Sequence, residues 1–89
     1  MAYRIVFTAR AQRDFKALDG SVRGRIARRI DSLADNPYPS GIKKLEGEDE
    51  LYRLRVGDYR ILYQVKGKIL LILIVGIGHR RDVYRRIGG

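Results

Sequence analysis

The chain has 89 residues, with 19 Lys and Arg against 10 Asp and Glu, a net charge of +9. That length fits one domain, residues 1–89, whose core is too small to enclose a large site, so function is expected on an exposed face. The absence of cysteine excludes disulfides and thiolate nucleophiles, a single histidine argues against an ordinary transition-metal site, and no cofactor is expected.

Met1 to Thr8 lacks the pattern of a signal peptide, and the longest apolar run, Ile69 to Val75, falls far short of the ~20 residues a membrane-spanning helix needs. A soluble cytoplasmic protein is therefore expected. Tyr3 to Phe7 alternates as a short strand, and Thr8 offers an N-cap for a helix from Ala9. Ala11, Phe15 and Leu18 form one apolar stripe of that helix, and Gly20 is expected to stop it. Ser21 is expected to cap a second helix, with Val22, Ile26, Ile30 and Leu33 inward and Arg25, Arg28 and Arg29 outward, ending at Asn36-Pro37-Tyr38-Pro39. The two helices read as an antiparallel hairpin.

Residues 40–50 read as an exposed loop, whose cluster Glu46, Glu48, Asp49 and Glu50 fits a solvated acidic surface. From Leu51 the period becomes a strict alternation, and Gly57-Asp58 reads as a two-residue hairpin turn with glycine first. The register follows: Val56 opposite Tyr59, Arg55 opposite Arg60, Leu54 opposite Ile61, Arg53 opposite Leu62. One face then carries Tyr52, Leu54, Val56, Tyr59, Ile61, Tyr63 and Val65, the natural seat for the helices. The other carries Arg53, Arg55, Arg60, Gln64 and Lys66. A turn at Lys66-Gly67-Lys68 leads into Ile69 to Val75, apolar throughout as in a central strand. The chain closes with Gly76 to Arg86, a glycine-marked strand exit and a short basic turn or helix. The fold class is α+β: a strand, a two-helix hairpin, then a three-strand antiparallel meander completing a twisted four-strand sheet.

Charge is unevenly placed. Through Glu50 the chain carries ten basic and eight acidic residues; beyond it, nine basic and two acidic. Such a surface attracts polyanions, whether nucleic acid or an acidic protein segment. Like charges opposed across a hairpin destabilise it, so Arg55 facing Arg60, with Arg53 beside them, points to a bound anion; the alternative is arginines splayed into solvent or paired with Glu46 to Glu50. Guanidinium groups bind phosphate oxygens in bidentate fashion and stabilise the added charge of a pentacovalent transition state. His79, at the exit of the last strand, is either the general acid or base or a structural histidine. Tyr84 is either a base-stacking ring or core. These groups suit attack of an RNA 2′-hydroxyl on its adjacent phosphate, because that substrate brings its own nucleophile.

Tyr-Arg-Ile-Val-Phe-Thr at 3–8, Leu-Tyr-Arg-Leu-Arg-Val-Gly-Asp-Tyr-Arg-Ile-Leu-Tyr at 51–63 and Gly-His-Arg-Arg-Asp-Val-Tyr-Arg at 78–85 resemble the RelE/ParE toxin superfamily, in its RelE branch. The resemblance covers essentially the whole chain. It implies a toxin of a type II toxin–antitoxin pair, a ribosome-dependent mRNA endoribonuclease that acts in the ribosomal A site. It further implies inhibition by a wrapping RelB-like antitoxin, and operator DNA bound only through the antitoxin complex. By motif, Arg53, Arg55, Arg60, Arg80 and Tyr84 fall at the family's functional positions; Arg55, Arg60, His79, Arg80 and Tyr84 are expected as catalytic residues, and Arg53, Lys66, Arg81 and Arg85 as RNA-binding. Arg55 and Arg60 would stabilise the phosphate, Arg80 the phosphate or leaving group, and Tyr84 would stack on or orient a base. One departure matters: some relatives carry a lysine, proposed as general base, where this chain has Arg55, whose pKa above 12 makes it a poor base. Two alternatives follow from the same resemblance: a ParE-like inhibitor of DNA gyrase, and a catalytically weak member that serves mainly to bind antitoxin.

Overall fold

The computed structural model describes residues 2–45 and 50–79. In chain order these form β1 (Arg4–Phe7), α1 (Ala9–Lys16), α2 (Gly20–Leu33), β2 (Lys43–Lys44), β3 (Leu51–Val56), β4 (Tyr59–Lys66), a 3-10 turn (Gly67–Ile69) and β5 (Leu71–His79). The strands make one mixed sheet in the order β1-β5-β4-β3-β2, with β1 parallel to β5 and every other pair antiparallel. This is the expected α+β architecture with one strand more than the four expected.

α1 begins as the sequence predicts: the Thr8 hydroxyl oxygen accepts from the Ala11 amide at 3.1 Å. It ends at Lys16, and Gly20 opens α2 instead of stopping α1. The extended backbone of Asp19 (φ −58°, ψ 150°) takes the N-cap position expected of Ser21, which falls inside the first turn. Arg23 of α2 reaches back to the carbonyls of Lys16 and Leu18, at 3.4 and 3.1 Å, and so satisfies the end of α1.

Both helices cover one face of the sheet. Ala11 of α1 and Ile26, Ile30 and Leu33 of α2 are buried with Leu54, Ile61, Tyr63, Val65, Ile72, Ile74 and Ile77. Burying each large apolar side chain contributes about 1.5–3 kcal/mol, so this layer is the main source of stability. Where α2 leaves the sheet, the buried Tyr63 hydroxyl donates to the Pro37 carbonyl at 2.8 Å. Tyr63 stacks on Tyr52 with ring centroids 5.8 Å apart, and Tyr38 meets Tyr52 edge-on at 5.4 Å. Burial, reinforced by Tyr52 and Tyr38, raises the Tyr63 pKa above the usual phenol value.

The β3–β4 register is the one read from the sequence. Gly57 has φ +60° and Asp58 does not share the positive angle, so the turn is of the glycine-first type. The Arg25 guanidinium lies 2.8 Å from where a Gly57 Cβ would stand, but as the end of a flexible side chain it can shift, so the positive φ is what requires glycine.

Two stretches differ from expectation. Within the loop at 40–50, Gly41 (φ +88°) reverses the chain and Lys43–Lys44 pair with Arg53 and Tyr52, adding β2 at the sheet edge. A two-residue strand is too short to leave a periodic signal. Downstream, Ile69 sits in the 3-10 turn, 65% exposed, and Leu70 adopts φ +50°, so the central strand starts only at Leu71. The acidic residues Glu46, Glu48 and Asp49 and the C-terminal basic turn or helix lie outside the described residues.

Candidate functional site

Alternation along β3 and β4 divides their side chains between the two faces of the sheet. With Leu54, Ile61 and Tyr63 committed to the helices, Arg53, Arg55 and Arg60 fall on the opposite face. Arg55 stands directly opposite Arg60, and Arg53 opposite Leu62. Arg55 is exposed and its Nε donates to the Gly57 carbonyl at 3.4 Å, which draws the guanidinium toward the turn. Arg53 and Arg60 are half-buried, and Nε and Nη1 of Arg60 are shielded from solvent. A guanidinium held partly away from water interacts more strongly with an anion than one in bulk solvent. On the far side of Arg60, β5 presents Gly78, so no β5 side chain stands beside it.

This face is not wholly charged. Leu51 and Leu62 are buried on it, packed with Leu45 and Val75. Val75 is the extra residue where the β4–β5 pairing shifts between Leu62 and Tyr63. The arginines therefore occupy the end of the sheet near the β3–β4 turn, and an apolar strip borders them. Lys66 shares their face but lies six residues along β4 from Arg60, about 20 Å away at the rise of a strand.

His79 is separated from the arginines. It pairs with Tyr59, the two rings meeting edge-on with centroids 5.7 Å apart, so it faces the helix side of the sheet. There it lines an open cleft of about 560 Å³ with Arg10, Arg13, Asp14 and Asp19. His79 and the arginines thus occupy the same end of the sheet, on opposite sides of it. Arg80, Arg81, Tyr84 and Arg85 lie outside the described residues.

The sequence reading missed Asp14, a buried carboxylate whose Oδ2 accepts from the Ile77 amide at 3.1 Å. β1 ends at Phe7 opposite Ile74, so beyond that point β5 has no strand partner on its β1 side. The Thr8 amide donates to the Ile74 carbonyl at 2.9 Å, and Asp14 takes the next free position, so α1 closes the edge that β1 leaves. The signal was available: Asp14 lies three residues after Ala11, on the inward stripe of α1, where an unpartnered charge is costly.

Residues 5–84 match the model of a family described as the ParE toxin of type II toxin-antitoxin systems, parDE. Toxin RelE3 of Methanocaldococcus jannaschii is 32% identical over 91% of this chain and 94% of its own length. The mRNA interferase toxin RelE of Escherichia coli K12 is 28% identical over 94% of this chain and 92% of its own. Among solved structures, the archaeal RelE–RelB complex from Pyrococcus horikoshii contains a chain that superposes with a TM-score of 0.80 at 31% identity, covering 93% of this chain and all of that one. No helix among the described residues is long and apolar enough to cross a membrane.

Proposed function

This chain belongs to the RelE/ParE superfamily of toxins from type II toxin–antitoxin systems, and on that premise we propose that it is a RelE-type endoribonuclease that cuts messenger RNA on the ribosome. The observation that carries the proposal is the opposed pair Arg55 and Arg60, with Arg53 beside it, on a sheet face the helices leave uncovered. In this reaction the ribose 2′-oxygen attacks the adjacent phosphorus. The new 2′-O–P bond closes a 2′,3′-cyclic phosphate as the P–O5′ bond breaks. The proton lost from the 2′-hydroxyl and the one gained by the departing 5′-oxygen balance. Arg55 and Arg60 hold the non-bridging oxygens and offset their growing negative charge, the effect that most lowers such a barrier. Arg53 grips the adjoining backbone. Arg80 and Tyr84 are proposed to complete the phosphate and base contacts, with Arg81 and Arg85 adding to RNA binding.

Among the described residues, the strands place no carboxylate or imidazole beside the arginine pair on this face. The share proposed for the arginines is to position the phosphate and to neutralise its growing charge. A substrate that carries its own nucleophile makes that share sufficient. The inhibitor is proposed to be a RelB-like antitoxin, as in the RelE–RelB complex from Pyrococcus horikoshii. A translation extract programmed with a defined message and mapped by primer extension tests the activity. A new, protein-dependent stop within the translated region is expected, and an intact message during arrested translation would sink the proposal.

A second reading has its own support, because the family model that matches is described as a ParE toxin. It makes the protein a ParE-like inhibitor of DNA gyrase, and loss of gyrase supercoiling with an uncut message would favour it.

A further inference from the structure

The edge strand β2 changes the extent of the charged face. Lys43 stands opposite Arg53, and opposed residues share a face, so Lys43 lies on the side that carries Arg53, Arg55 and Arg60. Its neighbours confirm the assignment. Ile42 packs into the helix-side core, whereas Leu45, two residues beyond Lys43, packs with Leu51, Leu62 and Val75 on the arginine side. The basic groups therefore fall on three successive strands: Arg60 on β4, Arg55 and Arg53 on β3, and Lys43 on β2. The next row toward the far end of the sheet is Leu45, Leu51 and Gln64, which offers no cation.

From this arrangement we propose that Lys43 binds a phosphate flanking the one that is cut, so that single-stranded RNA crosses the strands from β4 to β2 instead of running along them. The proposal rests on the nuclease reading above. Strand spacing and rise put Lys43 about 12 Å from Arg60. Side chains stand roughly perpendicular to a sheet, so heads extended straight out keep that separation and favour successive phosphates over a shared one. Lys43 is exposed and serves as a point charge on a flexible stem, suited to a backbone contact that need not be precise. Lys44 is the built-in control. It carries the same charge on the same strand, yet it pairs with Tyr52 and so belongs to the helix side.

The test uses the full chain and a single-stranded RNA of about 10 nucleotides with 2′-O-methyl riboses, which binds without being cut. Affinity is measured by fluorescence anisotropy from about 50 to about 200 mM salt. Lys43→Ala is expected to weaken binding several-fold at low salt and to make the log–log salt slope shallower by about 0.7, the loss of one single-strand phosphate contact. Lys44→Ala should leave the slope as it was, and Lys43→Arg should restore it. On programmed ribosomes Lys43→Ala should raise KM and leave kcat unchanged, as for a contact equally strong in ground and transition states. Equal losses for Lys43→Ala and Lys44→Ala, or none for either, would overturn the proposal. If Arg53→Ala and Arg55→Ala weaken binding while Lys43→Ala does not, this inference alone fails. If none of the three matters, the RNA-binding reading of the face fails with it.

Discussion

The two faces of the β3–β4 hairpin are built from the same stretch of chain, Leu51 to Lys66, by simple alternation, yet they answer to different demands. On the helix side, Leu54, Ile61, Tyr63 and Val65 are all but inaccessible and join the core of the domain. On the other side, Arg55 and Arg60 face each other in a pairing that costs the hairpin stability. The cost is offset by the core one residue away on each strand, through the same backbone. A small domain can in this way hold a destabilising charge cluster rigidly, because the groups that fix it are its sequence neighbours. Stability and reactivity are therefore expected to separate cleanly between adjacent positions.

The sharpest way to break that division is to substitute neighbours. Ile61→Ala empties a fully buried site and is expected to cost about 2–5 kcal/mol in denaturant unfolding. Where the variant remains folded, its cleavage rate should stay close to native. Arg60→Ala, one residue earlier, should do the reverse. Removing one preorganised donor to the transition state lowers kcat on the order of 10²- to 10³-fold, and the unfolding midpoint should barely move. If Arg60→Ala lost stability and activity together, the two-face division would be wrong.

Tyr63→Phe probes the helix side more gently. It leaves the buried Pro37 carbonyl without its donor, at a cost of about 1–3 kcal/mol. It also changes the response to pH. The folded-state pKa of Tyr63 is raised above its unfolded value near 10, so unfolding releases this proton first. Its contribution is fully present below about pH 10 and is lost as pH rises toward the folded value, at up to about 1.4 kcal/mol per pH unit. Urea melts between pH 8 and about 11 should show that decline in the native chain and a flatter profile in Tyr63→Phe. The smallest effect is expected at His79. Its ring faces Tyr59 on the side away from the arginines, so His79→Ala should change kcat by less than about threefold, whereas a general acid or base contributes roughly 10²–10⁴-fold. A loss in that larger range would return His79 to the catalytic group.

How much of this could be read from the sequence depended on how many residues share a signal. The β3–β4 register was legible because eight alternating residues and a glycine-first turn agree on one pairing. Arg53, Arg55 and Arg60 were placed on one face by that same register. β2 was not legible, since two residues carry no period and their pairing depends on Gly41 and on Leu45 meeting Leu51. Lys43 was missed with it. The role of Gly20 was misread because glycine fits either end of a helix, and the Asp19 backbone decides which. His79 was legible as the exit of the last strand, but the face it takes was not. That face is set by pairing with Tyr59 across the sheet.

The claim that the arginine face performs RNA self-cleavage is tested most directly on ribosomes programmed with a message that carries a single 2′-deoxy nucleotide at the mapped cut. The native message should be cut to a 2′,3′-cyclic phosphate and a 5′-hydroxyl end, and the 2′-deoxy message should remain whole at that position. Cleavage that persists without the 2′-hydroxyl would contradict the account, because the nucleophile would then have to come from somewhere other than the substrate.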